Sequence, residues 1–197
     1  MPAPLPLETL QQLFTDARSI NTWTSRPVED GTLRAVYDLM KMGPTSANLA
    51  PARLTFVRSA AAKAQLLECI SPSNVEKVAS APVTVIISQD SRFYDHIARL
   101  YPDGATYRDH FASDPVLAEV TALRNSSLQG AYFMLAARAL GLDCGPMSGF
   151  NNAKLDASML AGTTWKSNFI CTIGYGDRRA LPPRLPRLPF EEACRIS

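Results

Sequence analysis

One helical pattern in this chain is much longer than any other. It opens at Asp114-Pro115, a capping residue followed by a proline suited to the first turn, and runs on to Leu140. After Gln129 it is apolar on several faces, and a helix that apolar is buried on more than one side, in a core or against another subunit. Asn125, Ser126 and Ser127 interrupt it with polar groups that need partners wherever they are buried. The remaining segments must be laid around this helix.

Those segments are shorter. Leu7, Leu10, Leu13 and Phe14 recur at helical spacing, which predicts a first helix over residues 6–17. A second starts at Asp30 as its cap, carries Leu33, Val36, Tyr37, Leu39 and Met40, and is stopped by Gly43-Pro44. A strand over 54–58, a helix over 60–70 and a short helical piece over 74–80 follow. Residues 83–88 form a continuous β-branched run, the pattern of a buried strand. Residues 91–100 suit a helix and 101–113 read as irregular. Beyond the long helix come a turn-like stretch, Gly145-Pro146-Met147-Ser148-Gly149-Phe150, a helix over 153–160 and a strand over 168–173. The tail from Tyr175 carries Pro182, Pro183, Pro186 and Pro189 among its arginines, so it runs extended over a surface. Helices dominate and at least three strands are interspersed, which indicates an α+β or α/β sandwich whose strand order periodicity does not fix.

At 197 residues the chain fits one domain, residues 1–197, with length enough for a substantial core. Hydrophobic residues at 46% and charged residues at 19% are ordinary for a globular protein and speak against disorder. The net charge of +2 gives no reason to expect nucleic acid or a membrane as partner. Cys69, Cys144, Cys171 and Cys194 form no C-x-x-C pair, and with only His96 and His110 besides, no metal site is expected. No apolar run reaches membrane-spanning length and no signal-peptide pattern opens the chain, which points to a cytoplasmic protein with reduced thiols.

The familiar catalytic patterns do not fit. Gly174-Tyr175-Gly176 follows a strand but lacks the third glycine and the helix of a dinucleotide fingerprint. Tyr37 and Lys41 have the spacing of a dehydrogenase Tyr–Lys pair, yet no glycine-rich strand–helix unit precedes them; they read as a core tyrosine and a solvated lysine. There is no phosphate-binding G-x-x-x-x-G-K loop and no G-x-S-x-G elbow, and neither histidine has a triad context. What remains is a set of small polar clusters at segment junctions. Arg18 with Ser19 offers a guanidinium fork and a hydroxyl, a pair suited to phosphate. Ser46 and Asn48 lie in a proline-bounded loop, Asn74 and Lys77 share a helix face at i and i+3, and Arg184 and Arg187 stand in the tail. The stretch 145–150 contributes backbone: two glycines and the N–H groups of Met147, Ser148 and Gly149. Each cluster also has an ordinary structural explanation as a cap, a turn or a solvated charge. Together they suit a ligand with a phosphate at one end and a polar, planar ring at the other.

Five blocks carry a resemblance to a known family: Asp16-Ala17-Arg18-Ser19-Ile20-Asn21-Thr22-Trp23, Gly43-Pro44-Thr45-Ser46-Ala47-Asn48, Arg124-Asn125-Ser126-Ser127, Gly141-Leu142-Asp143-Cys144-Gly145-Pro146-Met147-Ser148-Gly149-Phe150 and Arg184-Leu185-Pro186-Arg187-Leu188. In this order they resemble the FMN-dependent nitroreductase family, and within it the branch of the malonic semialdehyde reductase of pyrimidine utilisation. The resemblance implies an α+β sandwich with a central, mostly antiparallel sheet flanked by helices, in an obligate homodimer with an extended C-terminal arm. It implies that Arg18, Ser19 and Arg187, helped by Arg184, hold the FMN phosphate. Asn21, Asn74 and Lys77 then surround the ribityl chain and the N1/O2 edge of the ring, and Pro44, Thr45, Ser46 and Asn48 form a loop supplied by the other subunit. Pro146, Met147, Ser148 and Gly149 line the ring, with the Ser148 or Gly149 N–H directed at N5. The implied activity is hydride transfer from NADPH or NADH through the flavin in two steps, reducing malonic semialdehyde to 3-hydroxypropionate. A broad nitro or quinone reductase, or a flavin-binding protein without turnover, are the alternatives. Ala17 and Asn21 stand where many members carry basic residues and Ser148 where many carry glutamate, which leaves Lys77 as the cation at the N1 edge.

Overall fold

The computed structural model describes residues 3–179 and 181–197. Strands β1 (Ala52–Val57), β2 (Val83–Asp90), β3 (Asp143–Met147) and β4 (Trp165–Gly174) form one antiparallel sheet in the order β1-β2-β4-β3. The helices are α1 (Leu7–Leu10), α2 (Asp30–Met40), α3 (Ala60–Leu67), α4 (Val75–Ser80), α5 (Ile97–Leu100), α6 (Tyr107–Ser113), α7 (Pro115–Ala139), α8 (Asn152–Met159) and α9 (Phe190–Ala193). This is the α+β class that the sequence implies.

The β-branched run became β2, buried along its whole length because it is central and covered on both faces. Alternation divides its side chains between two cores. Val83, Val85 and Ile87 pack with Val36 and Met40 of α2 and Phe133 and Ala137 of α7. Ile86 turns the other way, onto Leu66, Val78 and Leu155 of α3, α4 and α8. The result is a helix–sheet–helix sandwich in which α7 crosses one face. It lies close enough that a Cβ on Gly130 would run into the Phe169 ring of β4.

The polar residues of α7 are tie points. Asn125 Oδ1 accepts the Ser46 N–H at 2.8 Å while its Nδ2 donates to the Thr121 carbonyl at 2.9 Å. Asn168 Nδ2 of β4 donates to the Ser126 and Ser127 hydroxyls, each at 3.0 Å. Gln129 Oε1 accepts the Ala52 N–H at 2.8 Å, where β1 begins. Asp114 caps the helix by accepting the Leu117 N–H at 2.9 Å, with Pro115 in the first turn, as its dipeptide signals. Within one chain α7 still leaves an apolar stripe bare: Val116, Val120 and Leu123 are 74%, 46% and 47% exposed, so this face of its first half is uncovered among the described residues.

Several expectations change in detail. The first helix breaks into α1 and a π-helical turn, Gln11–Thr15, and 91–100 into a 3₁₀ turn, Phe93–His96, and α5. Residues 101–113 are not irregular throughout: α6 forms because Phe111 stacks edge-on against Phe93 at 5.1 Å, a tertiary contact that local propensity does not show. Asp30 is the first helical residue of α2 rather than its cap, and its carboxylate pairs with Arg58. Tyr37 is 48% exposed, not core, and Lys41 bonds Asp38 at 2.5 Å. The tail is extended as far as Pro189 and then forms α9. Among the described residues no helix is long and apolar enough to cross a membrane.

Candidate functional site

The stretch 145–150 is the largest revision. The reversal after α7 is made by Gly141, at φ +78°, and Gly145-Pro146-Met147 belong to β3, with Met147 in register with Ile170. Gly145 is there for close packing. A Cβ on it would strike the Ile20 carbonyl and the Thr172 hydroxyl, because residues 19–20 run beside β3 and the Ile20 N–H donates to the Cys144 carbonyl at 3.0 Å. Only Ser148 and Gly149 lie outside the ladder, and among the described residues neither N–H has an acceptor. Two backbone donors are therefore free side by side.

Around Gly149 the structure gathers one cluster. Its carbonyl accepts the Ser71 N–H at 3.0 Å and Asn74 Nδ2 at 3.3 Å, and Asn74 Oδ1 accepts from Lys77 Nζ at 3.0 Å. Asn74 is buried, and a side chain on Gly149 would collide with its amide, so glycine is what lets the amide reach the backbone. Asn74 and Lys77 do share a face, and that face meets Ser148-Gly149.

A second cluster lies beside the start of β3. A cavity of about 380 Å³ is lined by Arg18, Ser19, Asn21, Arg184 and Arg187, and by a residue that sequence reasoning missed, Arg138. No acidic side chain lines it. The chain ends cross here: Arg18 Nη2 donates to the Pro182 carbonyl, and Arg184 Nη2 to the carbonyls of Thr15 and, at 2.8 Å, Ala17. Arg138 Nη1 donates to the Leu13 carbonyl at 2.9 Å, inside the π-turn. An arginine set among Ala136, Ala137 and Ala139 in the last turn of an apolar helix was the available signal. Asn21 sits with the arginines rather than beside Asn74. From Cys144, which bridges to Ser19 of this cavity, to Gly149 the chain spans at most about 18 Å, so the two clusters stand at the two ends of one short strip along β3.

The loop holding Pro44, Thr45, Ser46 and Asn48 is placed elsewhere. It leads into β1, the edge opposite β3, and its bonds run to α7 and Leu100: Tyr132 Oη to the Pro44 carbonyl at 3.0 Å, Asn48 Nδ2 to the Leu100 carbonyl at 2.8 Å. Ala47, Asn48 and Ala50 all hold positive φ, at 46°, 53° and 40°, a costly conformation for alanine. Among the described residues no hydrogen bond joins this loop to either cluster. A cavity of about 590 Å³ between α2 and β1 is lined by none of the expected residues.

Asp177, outside both clusters, is held down to about 2 by the bonds of the Arg179 fork. The buried Cys171 thiol is pushed up by its contact with Cys144 and by burial, so it is no nucleophile.

The nitroreductase family model matches residues 2–175. The chain belongs to the nitroreductase family. Another member, a Rhodopseudomonas palustris protein provisionally named NADH dehydrogenase/NAD(P)H nitroreductase, is 54% identical over 196 residues and covers 100% of both chains. A solved nitroreductase family protein from Streptococcus pneumoniae superposes with a TM-score of 0.83 at 22% identity, covering 97% of this chain and 99% of that one. A family structure from Exiguobacterium sibiricum in complex with FMN gives 0.82 at 18% identity, covering 100% and 99%. At such identities these two likenesses establish the nitroreductase fold.

Proposed function

We propose that this chain, as a single domain over residues 1–197, is a cytoplasmic FMN-dependent NAD(P)H oxidoreductase. The observation that carries the reading is the pairing along β3 of an arginine cavity free of acids with a backbone cluster holding two unpartnered N–H groups. The residues fit the cofactor's chemistry: a dianionic phosphate wants guanidinium forks, and a flat acceptor-rich ring wants fixed N–H donors without intruding side chains. FMN, when bound, supplies a hydride relay at N5 between the nicotinamide and an acceptor. Arg18, Ser19, Arg184 and Arg187 hold the phosphate. Asn74, kept in place by Gly149 and Lys77, presents its amide to the ring edge, with the Lys77 charge behind it. The N–H of Ser148 or Gly149 faces N5, and Pro146 and Met147 flank it.

The site is completed in a homodimer. The loop of Pro44, Thr45, Ser46 and Asn48 stands at the wrong edge of the sheet to serve its own chain's clusters, and the bare stripe Val116, Val120, Leu123 needs a cover. A second copy supplies both.

For the acceptor, the blocks that resemble the malonic semialdehyde reductase branch favour a short aldehyde acid, reduced to 3-hydroxypropionate. The names of the relatives favour nitro compounds, and quinones are the other alternative acceptors on the same flavin. Purified protein should be yellow, and anaerobic NADPH or NADH should bleach it; a yellow protein that does not bleach is a flavin binder without turnover, and a colourless one overturns the cofactor. Steady-state kcat/KM for malonic semialdehyde against nitrofurazone and menadione then decides, and a strong preference for the latter two removes the aldehyde assignment.

A further inference from the structure

Arg138 is an arginine that no sequence pattern marked. It lies in the last turn of α7, and of the four arginines lining the cavity it is the one fixed in regular structure. Arg18, Arg184 and Arg187 stand on segments without helix or strand. Its fork is only partly used. Nη1 holds the Leu13 carbonyl of the π-turn and Nε is buried without an acceptor among the described residues, while Nη2, which is not one of those buried atoms, makes no hydrogen bond there and is the donor left free for the cavity. A buried guanidinium N–H without an acceptor is costly, and among the described residues no acid lines the cavity to offset the charge. Gln12 Nε2 donates to the Arg138 carbonyl at 2.6 Å, so the π-turn and the end of α7 are clamped from both sides. π-turns recur at functional sites because the widened turn exposes carbonyls and re-aims side chains. Here the turn leads directly into Ala17 and Arg18.

We propose that Arg138 is a phosphate-binding residue of the flavin site: the fixed anchor whose free donor takes a phosphate oxygen while its other arm positions the segment carrying Arg18. The proposal rests on the reading that this cavity holds the FMN phosphate. It differs from a helix-end charge, which interacts with the helix's own carbonyls and needs no ligand. A site on a helix holds its geometry better than one on connecting segments, so Arg138 sets the place of the phosphate and the three other arginines close around it.

Comparing FMN with riboflavin isolates the phosphate. Dissociation constants for both are measured by quenching of flavin fluorescence on the full chain, for wild type, Arg138→Met, Arg138→Lys and Arg18→Met. Arg138→Met should weaken FMN tenfold or more and leave riboflavin within twofold; Arg138→Lys, which keeps the charge but has no fork, should fall between. Equal losses for both flavins mean that Arg138 only props the π-turn and overturn the proposal, as does no loss for either. Should Arg138→Met fail to fold, Arg138→Lys carries the same comparison, and unchanged FMN selectivity there overturns it. Selectivity lost in Arg18→Met but kept in both Arg138 variants rejects Arg138 alone. Selectivity kept in all three rejects the cavity as the phosphate site.

Discussion

The arginine cavity and the Gly149 cluster lie along the same strand and are built in opposite ways. The cavity is assembled from three remote parts of the chain, residues 14–21, Arg138 and 182–187, and its currency is charge. Long guanidinium side chains tolerate small displacements, because a charge–charge attraction falls off slowly with distance. The Gly149 cluster is made within 71–77 and 148–149, from backbone groups, one amide and one lysine. Its selectivity is positional, and a single methyl group would disrupt it. On the proposed reading, one end of the strip recognises what the ligand carries, and the other where the ligand sits.

The sharpest way to break that contrast is at Ser148. If its free N–H faces N5, Ser148→Pro deletes the donor while Ser148→Ala keeps it. Losing one preorganised donor to a developing charge typically costs at least ~10²-fold in rate. Stopped-flow reduction by NAD(P)H should therefore collapse by about that factor in Ser148→Pro, with FMN still bound through the arginines, and stay within about twofold in Ser148→Ala. Equal rates in the two variants would show the donor to be idle. Gly149→Ala comes next. Its Cβ must push the Asn74 amide away, so flavin affinity and reduction rate should both fall about tenfold, the equivalent of roughly one hydrogen bond. Riboflavin and FMN should suffer alike, in contrast to changes in the cavity.

How much of this was legible beforehand follows the same division. Three of the four strands, the long helix with its cap and the extended tail were readable because each is fixed by local pattern: apolar and β-branched runs, Asp-Pro, serial prolines. The cavity arginines were partly readable, since a fork beside a hydroxyl suits a phosphate, although each cluster alone also reads as a cap, a turn or a solvated charge. Arg138 was not, because a helix-terminal arginine has an ordinary explanation and its hydrogen-bond partners, Gln12 and Leu13, arrive from over a hundred residues away. Gly145 was read as turn chemistry when its cause is the crossing of residues 19–20, a contact invisible to any local window. Tyr37 was misplaced because helical spacing gives a face but not which part of that face meets the sheet. The family resemblance added what periodicity lacked, the antiparallel arrangement, and the sheet order β1-β2-β4-β3 then came from the structure.

Salt probes the contrast more gently. Raising ionic strength from about 0.1 M to 1 M shortens the Debye length from about 10 Å to about 3 Å. FMN should bind several-fold more weakly across that range and riboflavin almost equally well, and identical salt responses would deny the cavity its charge-based role.

The smallest effect is expected just outside the cavity, where Asp177 and Arg179 form an ion pair that resembles the site arginines only in composition. Arg179 grips both carboxylate oxygens, Nε to Oδ1 at 2.9 Å and Nη2 to Oδ2 at 2.6 Å, and lowers the Asp177 carboxyl to about 2. A carboxylate whose folded value lies below its unfolded one stabilises the fold above the unfolded value of about 3.9, and that contribution disappears as pH falls through the folded value. Yet the Arg179 side chain is 90% exposed and the pair is open to screening, so little stability is at stake. Asp177→Asn should leave Tm and FMN affinity near wild type at neutral pH, and any difference in Tm should vanish as the pH drops toward 2. A large fall in FMN affinity would mean that Asp177 orients the tail and its two site arginines, making the exposed pair part of the cavity's scaffold.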